Sequence, residues 1–342
     1  MAKQKSRRPW WLSIILLVCL LYLAGIAGFF IARAALSHWP PWLALVSTFT
    51  PFLFLPLIFV LPLAIWARSK TVGWSALFAS GLFLLLYGSD FLTQPAPVSA
   101  AANDTLTAMT FNLGAAQAQP EQILAAIDTE KADIITVQEL TPATVKALRE
   151  NVAQRYPYSI LDLRAGTTGL ISRYPIINSD WFRPAGRGRP VLHATLNANG
   201  VLIHILAVHP LPPTISWYKK YPLPTSLDDE NQLQEAKDIL RRVTLLQGPV
   251  LVMGDFNMTD QSLVYNLVSS VLKDSYREAG WGFGFTFPNN LMMRGIPVPG
   301  PFIRIDYIFH SDPLKVQYAQ VNCNGGSDHC YLIVKLTRPT GK

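Results

Sequence analysis

The sequence predicts an α/β protein with two regions: three apolar helices that cross a membrane, then a soluble domain of two packed sheets with helices outside them. Three observations carry this. Residues 10–92 hold three long stretches with almost no charge, and from Leu106 onward short β-branched runs alternate with amphipathic stretches. In the soluble region helical patterns come twice early and once late among many strands, which fits two sheets better than one parallel sheet.

The first apolar stretch runs from Trp10 to Ile31, the second from Pro41 to Ala67 and the third from Val72 to Ser89. Each meets or nears the roughly 18–20 residues a helix needs to cross a bilayer. Trp10, Trp11, Trp42, Trp66 and Trp74 mark their ends, where an amphipathic ring suits the membrane interface. A secretory signal is the competing reading of the first stretch, because "SRRPWWL" resembles a twin-arginine signal and "ARA" at 32–34 a cleavage site. The run is longer than the roughly 7–15 residues of a signal core, and two further spans would anchor the product in any case.

Charge separates the two regions. Before residue 101 there are seven Lys or Arg and one acid, Asp90, whereas the rest of the chain holds 22 basic and 21 acidic residues. The basic excess therefore reads as topology. Lys3 to Arg8 keep the N-terminus cytoplasmic, Arg68 and Lys70 do the same for the second connection, and three spans then leave the soluble domain extracytoplasmic, at a plasma or inner membrane. A nearly neutral domain gives no support to a broad electrostatic grip on nucleic acid and is compatible with a local patch.

The expected organisation is a membrane domain over 1–92, a linker over 93–105, a catalytic domain over 106–337 and a tail over 338–342. The linker "TQPAPVSAAANDT" is rich in Pro, Ala and Ser and reaches at most about 40 Å. After it, "LTAMTFN" reads as a strand, "PEQILAAIDTEK" as a helix opened by Pro120, "ADIITVQEL" as a buried strand and "PATVKALRENV" as a helix. Strands follow at 158–163, 168–173, 190–197 and 200–208. "SLDDENQLQEAKDILRRVTLLQ" is the longest soluble helix, with Ser226 as candidate cap. "GPVLVMGDFN" is a strand running into a loop, and "FIRIDYIFH", "LKVQYAQVN" and "CYLIVKLT" are further strands.

Polar residues at the ends of these strands carry the chemistry. In "VLVMGDFN" Asp255 and Asn257 are two apart, so in extended chain they face one way and can orient a water; an Asx-type turn is the alternative. Glu139 ends the buried strand of "TVQEL", where an acid needs a partner, either a hard cation or an arginine. Asn112 ends "TFN" and offers a neutral oxygen. Asp306 in "RIDYIF" lies within an apolar strand and must be paired, with His329 of "NGGSDHC" the nearest candidate in sequence order. Asp328 would then face a metal or its water. His209 in "LAVHP" is another strand-end imidazole. Cys323 and Cys330 either form a disulfide or remain free thiols.

"TFN", "QE", "SRYPI", "VHP", "GDFN", "RIDYIF" and "SDH", in that order and each at a strand end, resemble the endonuclease/exonuclease/phosphatase superfamily, which includes DNase-I-like nucleases. The resemblance spans residues 106–337. It implies a four-layered α/β/β/α sandwich and Mg²⁺- or Mn²⁺-dependent attack of water on phosphorus. It also implies Asn112, Glu139 and Asp328 as metal-binding residues. Asp255 would activate the water, Asn257 would orient it or the phosphate, His329 held by Asp306 would bind phosphate oxygens, and His209 would contact the phosphate or the leaving oxygen. Where some relatives carry an acid two residues after the first Asn, this chain has Gly114, which puts a second metal ligand in doubt.

The expected function is hydrolysis of a phosphodiester by a membrane-anchored enzyme, its partners being the lipid bilayer and the phosphoester, with no protein partner evident. A lipid headgroup is favoured because "PLPPTISWYKKYPLPTS" and "NNLMMRGIPVPGPF" are apolar loops beside the predicted site, unless they pack on each other. An extracytoplasmic nuclease is the alternative, with Arg183, Arg187, Arg189, Lys219 and Lys220 as a local basic groove. A non-catalytic binding module on the same scaffold is the alternative of another class.

Overall fold

The computed structural model describes residues 8–92, 105–114, 118–218, 224–293 and 295–338. The expected linker lies outside these residues except for Thr105. So do Lys3, Lys5 and Arg7 of the basic N-terminus, Lys219 and Lys220 of the basic groove, and the tail beyond Arg338. The chain divides into two compact units, residues 1–91 with 216–227, and residues 92–215 with 228–342.

In the first unit, α1 (Trp10–Ala35) and the helix Lys70–Tyr87 with its following turn are long and apolar enough to cross a membrane. The second apolar stretch differs from the expected single span. It breaks into α2 (Pro41–Thr48), a 3₁₀ turn at Thr50–Phe54 and α3 (Leu57–Trp66), with a bend of 73°. Pro51 and Pro56 remove two backbone donors at the break. Tyr22 Oη donates to Leu53 O at 2.6 Å, and Arg33 Nη1 donates to Thr50 Oγ1 at 3.0 Å. The first of these bonds meets a backbone carbonyl at the break. Lys70–Tyr87 is α4.

In the second unit twelve strands, among the described residues, form two six-stranded sheets. In chain order they are β1 (Thr105–Asn112), β2 (Ile134–Gln138), β3 (Tyr158–Ile160), β4 (Gly169–Ser172), β5 (Ile176–Phe182), β6 (Val191–Ala198), β7 (Val201–Val208), β8 (Val250–Asp255), β9 (Lys273–Asp274), β10 (Asp306–His310), β11 (Lys315–Asn322) and β12 (Tyr331–Thr337). The first sheet runs β11-β12-β1-β2-β4-β3 and the second β9-β10-β8-β7-β6-β5. The helices are α5 (Pro120–Glu130), α6 (Pro142–Asn151), α7 (Glu230–Thr244), α8 (Leu263–Ser269) and α9 (Ser275–Ala279).

Strand alternation builds the layers. Leu106 and Ala108 of β1 and Ile134 of β2 pack with Leu192, Ile205, Leu251, Met253 and Ile308 of the other sheet. Met109, Phe111, Ile135 and Val137 face the other way, onto Ile123, Ile127, Val145 and Leu148 of α5 and α6. On the far side Leu206, Val252, Tyr307 and Phe309 pack on Ile239, Leu240, Val264 and Val268 of α7 and α8. The order is helix, sheet, sheet, helix, as expected.

The expected strands are present with ends shifted by a few residues. Strands β5 and β9 and helices α8 and α9 are additional. Helix α7 starts at Glu230, not near Ser226, because Pro224–Asp228 is extended and pairs with Thr214–Trp217 as a short hairpin. Tertiary pairing overrides the helical pattern there.

Candidate active site

The site forms where strand ends of both sheets meet. β1 and β2 are parallel, as are β7 and β8, so Asn112, Glu139, His209 and Asp255 all leave the carboxyl ends of strands. β10 and β12 run antiparallel to β8 and β1, so their amino ends bring Asp306 and His329 to the same edge. Asn112 Nδ2 donates to Asp255 Oδ2 across the two sheets at 2.9 Å. Within the second sheet Gly254 lets β8 lie close to β7 just before Asp255: a Cβ there would lie 1.9 Å from Val208 O.

Asp255 is the hub. It is 1% exposed, and its Oδ1 accepts from Asn257 N at 2.7 Å. Its Oδ2 lies 3.5 Å from His209 Nε2 and 3.9 Å from His329 Nε2. Burial raises its pKa above the ordinary carboxylate value; the His329 charge opposes the rise and Asp306 adds to it.

His329 Nδ1 bonds Asp306 Oδ2 at 3.0 Å, the pair expected from the sequence. Burial disfavours the charged ring, but Asp306 and Asp255 outweigh it and raise the pKa to about 10. The ring is therefore an imidazolium, with Nε2–H pointed toward Asp255. Phe287 packs on it with ring centres 4.8 Å apart. His209 is the opposite case. Burial lowers its pKa to about 4; Asp255 pulls upward, while Arg189 adds to the drop. The Arg189 guanidinium donates to His209 Nε2, which leaves the ring proton on Nδ1, where no partner stands among the described residues.

Glu139 would point away from the inner face if β2 continued. Its φ of 60° turns it back, a conformation that a non-glycine residue adopts only when its surroundings hold it. Its Oε1 accepts from Asn112 Nδ2 at 3.3 Å and lies 3.9 Å from His209 Nε2. Burial raises its pKa, and the Asn112 bond opposes this. Asn112 Oδ1 is taken by Gly114 N at 3.0 Å, so its nitrogen, not its oxygen, faces the carboxylates. Presenting the oxygen to a cation requires the amide to turn over and give up that bond. Asp328 lies at the rim beside Gly114, where a Cβ would come within 2.3 Å of Asp328 Oδ1. A side chain at position 114 would displace Asp328 and would have to adopt a left-handed φ of 62°.

Asn257 departs from the two-apart expectation. Its φ is 52°, and its Nδ2 donates to Pro210 O at 3.1 Å. With the Asp255 Oδ1 bond this is the Asx turn that the sequence offered as an alternative, and it ties the ends of β7 and β8 together.

The donor set fits a hard divalent cation. Glu139, Asp255, Asp306 and Asp328 interact electrostatically with one another or with His329. Among the described residues these four acids outnumber the cationic groups beside them, His329 and Arg189, an oxygen-rich set of the kind a hard cation takes. Asp306 Oδ1 is buried with no donor among the described residues. Asp255, Asp306 and His329 place ligand atoms within 4.8 Å of one another, but the Asp306–His329 bond already occupies two of them.

The sequence pattern of the Endonuclease/Exonuclease/phosphatase family matches residues 109–329. The chain belongs to this family. Endonuclease/Exonuclease/phosphatase members are generally metal-dependent phosphoester hydrolases. The fold is shared with solved structures. A family protein from Bacteroides vulgatus superposes with TM-score 0.54 at 20% identity, covering 69% of this chain and 99% of that one. A conserved protein of unknown function from Enterococcus faecalis gives TM-score 0.54 at 18% identity, covering 68% and 100%. D. rerio TDP2, complexed with a single-strand DNA product, gives 0.52 at 15% identity, covering 68% and 99%. No curated protein matches the sequence.

Arg189 is the site residue the motifs did not single out beyond a surface groove. Its signal is spatial, being a contact with His209 across twenty positions of sequence.

Proposed function

We propose that the chain is a membrane-anchored phosphodiester hydrolase that uses Mg²⁺ or Mn²⁺ and acts on a lipid headgroup at the extracytoplasmic face. The observation that carries hydrolysis is the buried Asp255 carboxylate set between two imidazoles of opposite protonation, His329 and His209. Pairs of groups whose pKa values are pushed apart separate acid from base.

Glu139 and Asp328, with Asn112 beside them, are the residues to hold the cation, which when bound neutralises the phosphate and polarises its oxygens. Asp255 takes a proton from the attacking water, and Asn257 keeps the Asp255 carboxylate and the β7 end in register. His329 donates from Nε2 to a phosphate oxygen, oriented through Nδ1 by Asp306. Arg189 offers a second cation to the phosphate, and neutral His209 stands beside the leaving oxygen.

Lipid is favoured by three features. The unit 106–337 is close to neutral, the chain carries apolar helices of spanning length, and the hairpin of Met292–Met293 with Ile296–Pro297 exposes Met292 and Ile296. Asn289 ties the base of that hairpin to the catalytic turn through Asp328 O at 2.6 Å and Ser327 O at 3.0 Å. The second reading, a nuclease, is favoured by Arg183, Arg187 and Arg189 on one turn and by the DNA product bound to TDP2.

The extracytoplasmic orientation requires the bent pair Pro41–Trp66 to count as one span, giving residues 1–92 three crossings. The Cys323–Cys330 disulfide supports an oxidising compartment. An impermeant maleimide applied to intact cells after reduction tests this at Cys323, since Cys330 is buried; protection of Cys323 until lysis reverses the topology.

The substrate is tested with the full chain in detergent and Mg²⁺, on phospholipid vesicles and on DNA, with Asp255→Ala as control. Lipid hydrolysis lost in the variant supports the proposal. DNA cleavage lost in the variant, with inert vesicles, assigns a nuclease. No turnover and no Mg²⁺ heat in calorimetry leave a binding module.

A further inference from the structure

We propose that two acids of α7, Glu235 and Asp238, are positioning residues that hold the 183–189 turn so that Arg189 meets the phosphate beside His209. This rests on the phosphoesterase reading above.

The turn is an unfavourable piece of backbone. Ala185 has φ 53° and Gly186 φ 68°, so two successive residues are left-handed, and alanine has no intrinsic preference for that region. Something outside the turn must keep it. Asp238 Oδ2 accepts from Ala185 N at 2.8 Å, at the strained residue itself. The turn closes on itself through Gly188 N to Pro184 O at 2.9 Å and Arg183 Nη1 to Gly188 O at 3.3 Å.

One helical turn earlier, Glu235 is 1% exposed. A Cβ on Gly188 would lie 2.8 Å from Glu235 Cδ, so the acid fills the space directly under the residue before Arg189. Its Oε2 accepts from Leu211 N at 3.4 Å, two residues past His209. A single side chain thus touches both segments, one carrying Arg189 and the other His209. The charges agree. Burial raises the Glu235 pKa to about 7, with the Leu211 bond and Arg189 opposing the rise. Residues three apart on a helix share a face, so α7 presents Glu235 and Asp238 to the turn as one unit.

Nothing in the metal-binding or acid–base chemistry needs these two acids. Their geometry serves the placement of one guanidinium. Arg189 acts on the bound phosphate in ground and transition states alike, so losing its position raises KM while kcat stays close to native.

The test uses the full chain in detergent with Mg²⁺. Asp238→Ala and Glu235→Ala remove the acceptor and the spacer; Asp238→Asn and Glu235→Gln keep an acceptor oxygen and the volume. All four are made with native Arg189 and with Arg189→Ala. Two readouts are taken, KM and kcat for bis(p-nitrophenyl) phosphate, and affinity for inorganic phosphate by calorimetry. With native Arg189 the alanine variants should weaken phosphate binding and raise KM about 5–10-fold, with kcat within about twofold. The conservative variants should stay within about twofold of native. In the Arg189→Ala background the alanine changes should have no further effect. Equal losses in both backgrounds, or alanine variants that bind phosphate as native does, overturn the proposal. A thermal melt on each variant separates misfolding from mispositioning, and a misfolded alanine variant is replaced by Asp238→Ser or Glu235→Val under the same criteria. Failure of the enzyme reading shows separately, as native protein that binds phosphate without turning over the ester; the calorimetric comparison then decides the positioning claim alone.

Discussion

Asp255 and Asp306 stand directly opposite each other in register on β8 and β10, both within the 0–1% exposed class of side chains. Like charges on facing positions of an antiparallel pair are destabilising, and burial magnifies the repulsion. The His329 ring resolves it, bonded to Asp306 through Nδ1 and 3.9 Å from Asp255 through Nε2. The charge that makes the pair tolerable is the one that the proposed mechanism directs at the phosphate, so that mechanism links stability and chemistry through one ring.

Asp306→Asn removes the charge that holds His329 protonated and oriented. Hydrolysis of bis(p-nitrophenyl) phosphate should fall about 10²–10³-fold in kcat, while circular dichroism keeps the native spectrum. An Asp306→Asn enzyme within about threefold of native would remove Asp306 from the site.

Removal of divalent cations with EDTA should abolish turnover, and Mg²⁺ or Mn²⁺ should restore it. Because only the folded state gathers these carboxylates, excess Mg²⁺ should raise the melting temperature by an amount that grows with the logarithm of its concentration over Kd. Glu139→Gln should lose that thermal shift. A shift of native size in the variant would place the cation elsewhere.

Much of this was legible in the sequence because a buried strand announces itself. Runs such as "VLVMGD" and "ADIITVQ" leave few conformations open, and the polar residue that ends each run falls at the sandwich edge. Asn112, His209, Asp255, Asp306 and His329 are found there for that reason. What stayed hidden depends on single backbone dihedrals and on distant contacts. Period-two alternation sends Glu139 to the helix side, and only its left-handed φ brings it back. Asn257 escapes the same rule in the same way. Strand β5 (IINSDWF) lies at a sheet edge and groups its polar residues Asn178, Ser179 and Asp180 between two apolar pairs, so it shows no period-two alternation. The break in the second apolar stretch was written in Pro51 and Pro56, but hydropathy averaged over a window does not see missing donors.

The Cys323–Cys330 disulfide closes the turn that carries Ser327, Asp328 and His329. Closing so short a loop contributes about 2–3 kcal/mol in the chain-entropy model. Replacing both cysteines by serine should lower the melting temperature by several degrees and reduce turnover, and reductant should have the same effect on native protein but none on the variant. Reductant effects of equal size on both would show that the bond does not brace the turn.

Glu235 supplies a pH test with a definite sign. Its pKa is raised from an ordinary 4.5 to about 7 by burial, so the folded state prefers the protonated acid. Below the unfolded value both states carry the proton and folding is not penalised. Between about pH 4.5 and 7 the unfolded chain ionises first, so stability declines as pH rises, and above about 7 the whole penalty is present. Glu235→Gln is neutral at every pH. It should match native protein near pH 4 and exceed it by about 3 kcal/mol near pH 8, read as a higher denaturant midpoint at unchanged slope. A difference independent of pH, or one that grows toward acid, would mean that the carboxyl is ionised in the folded protein through contacts with Arg189 and Leu211 stronger than its burial.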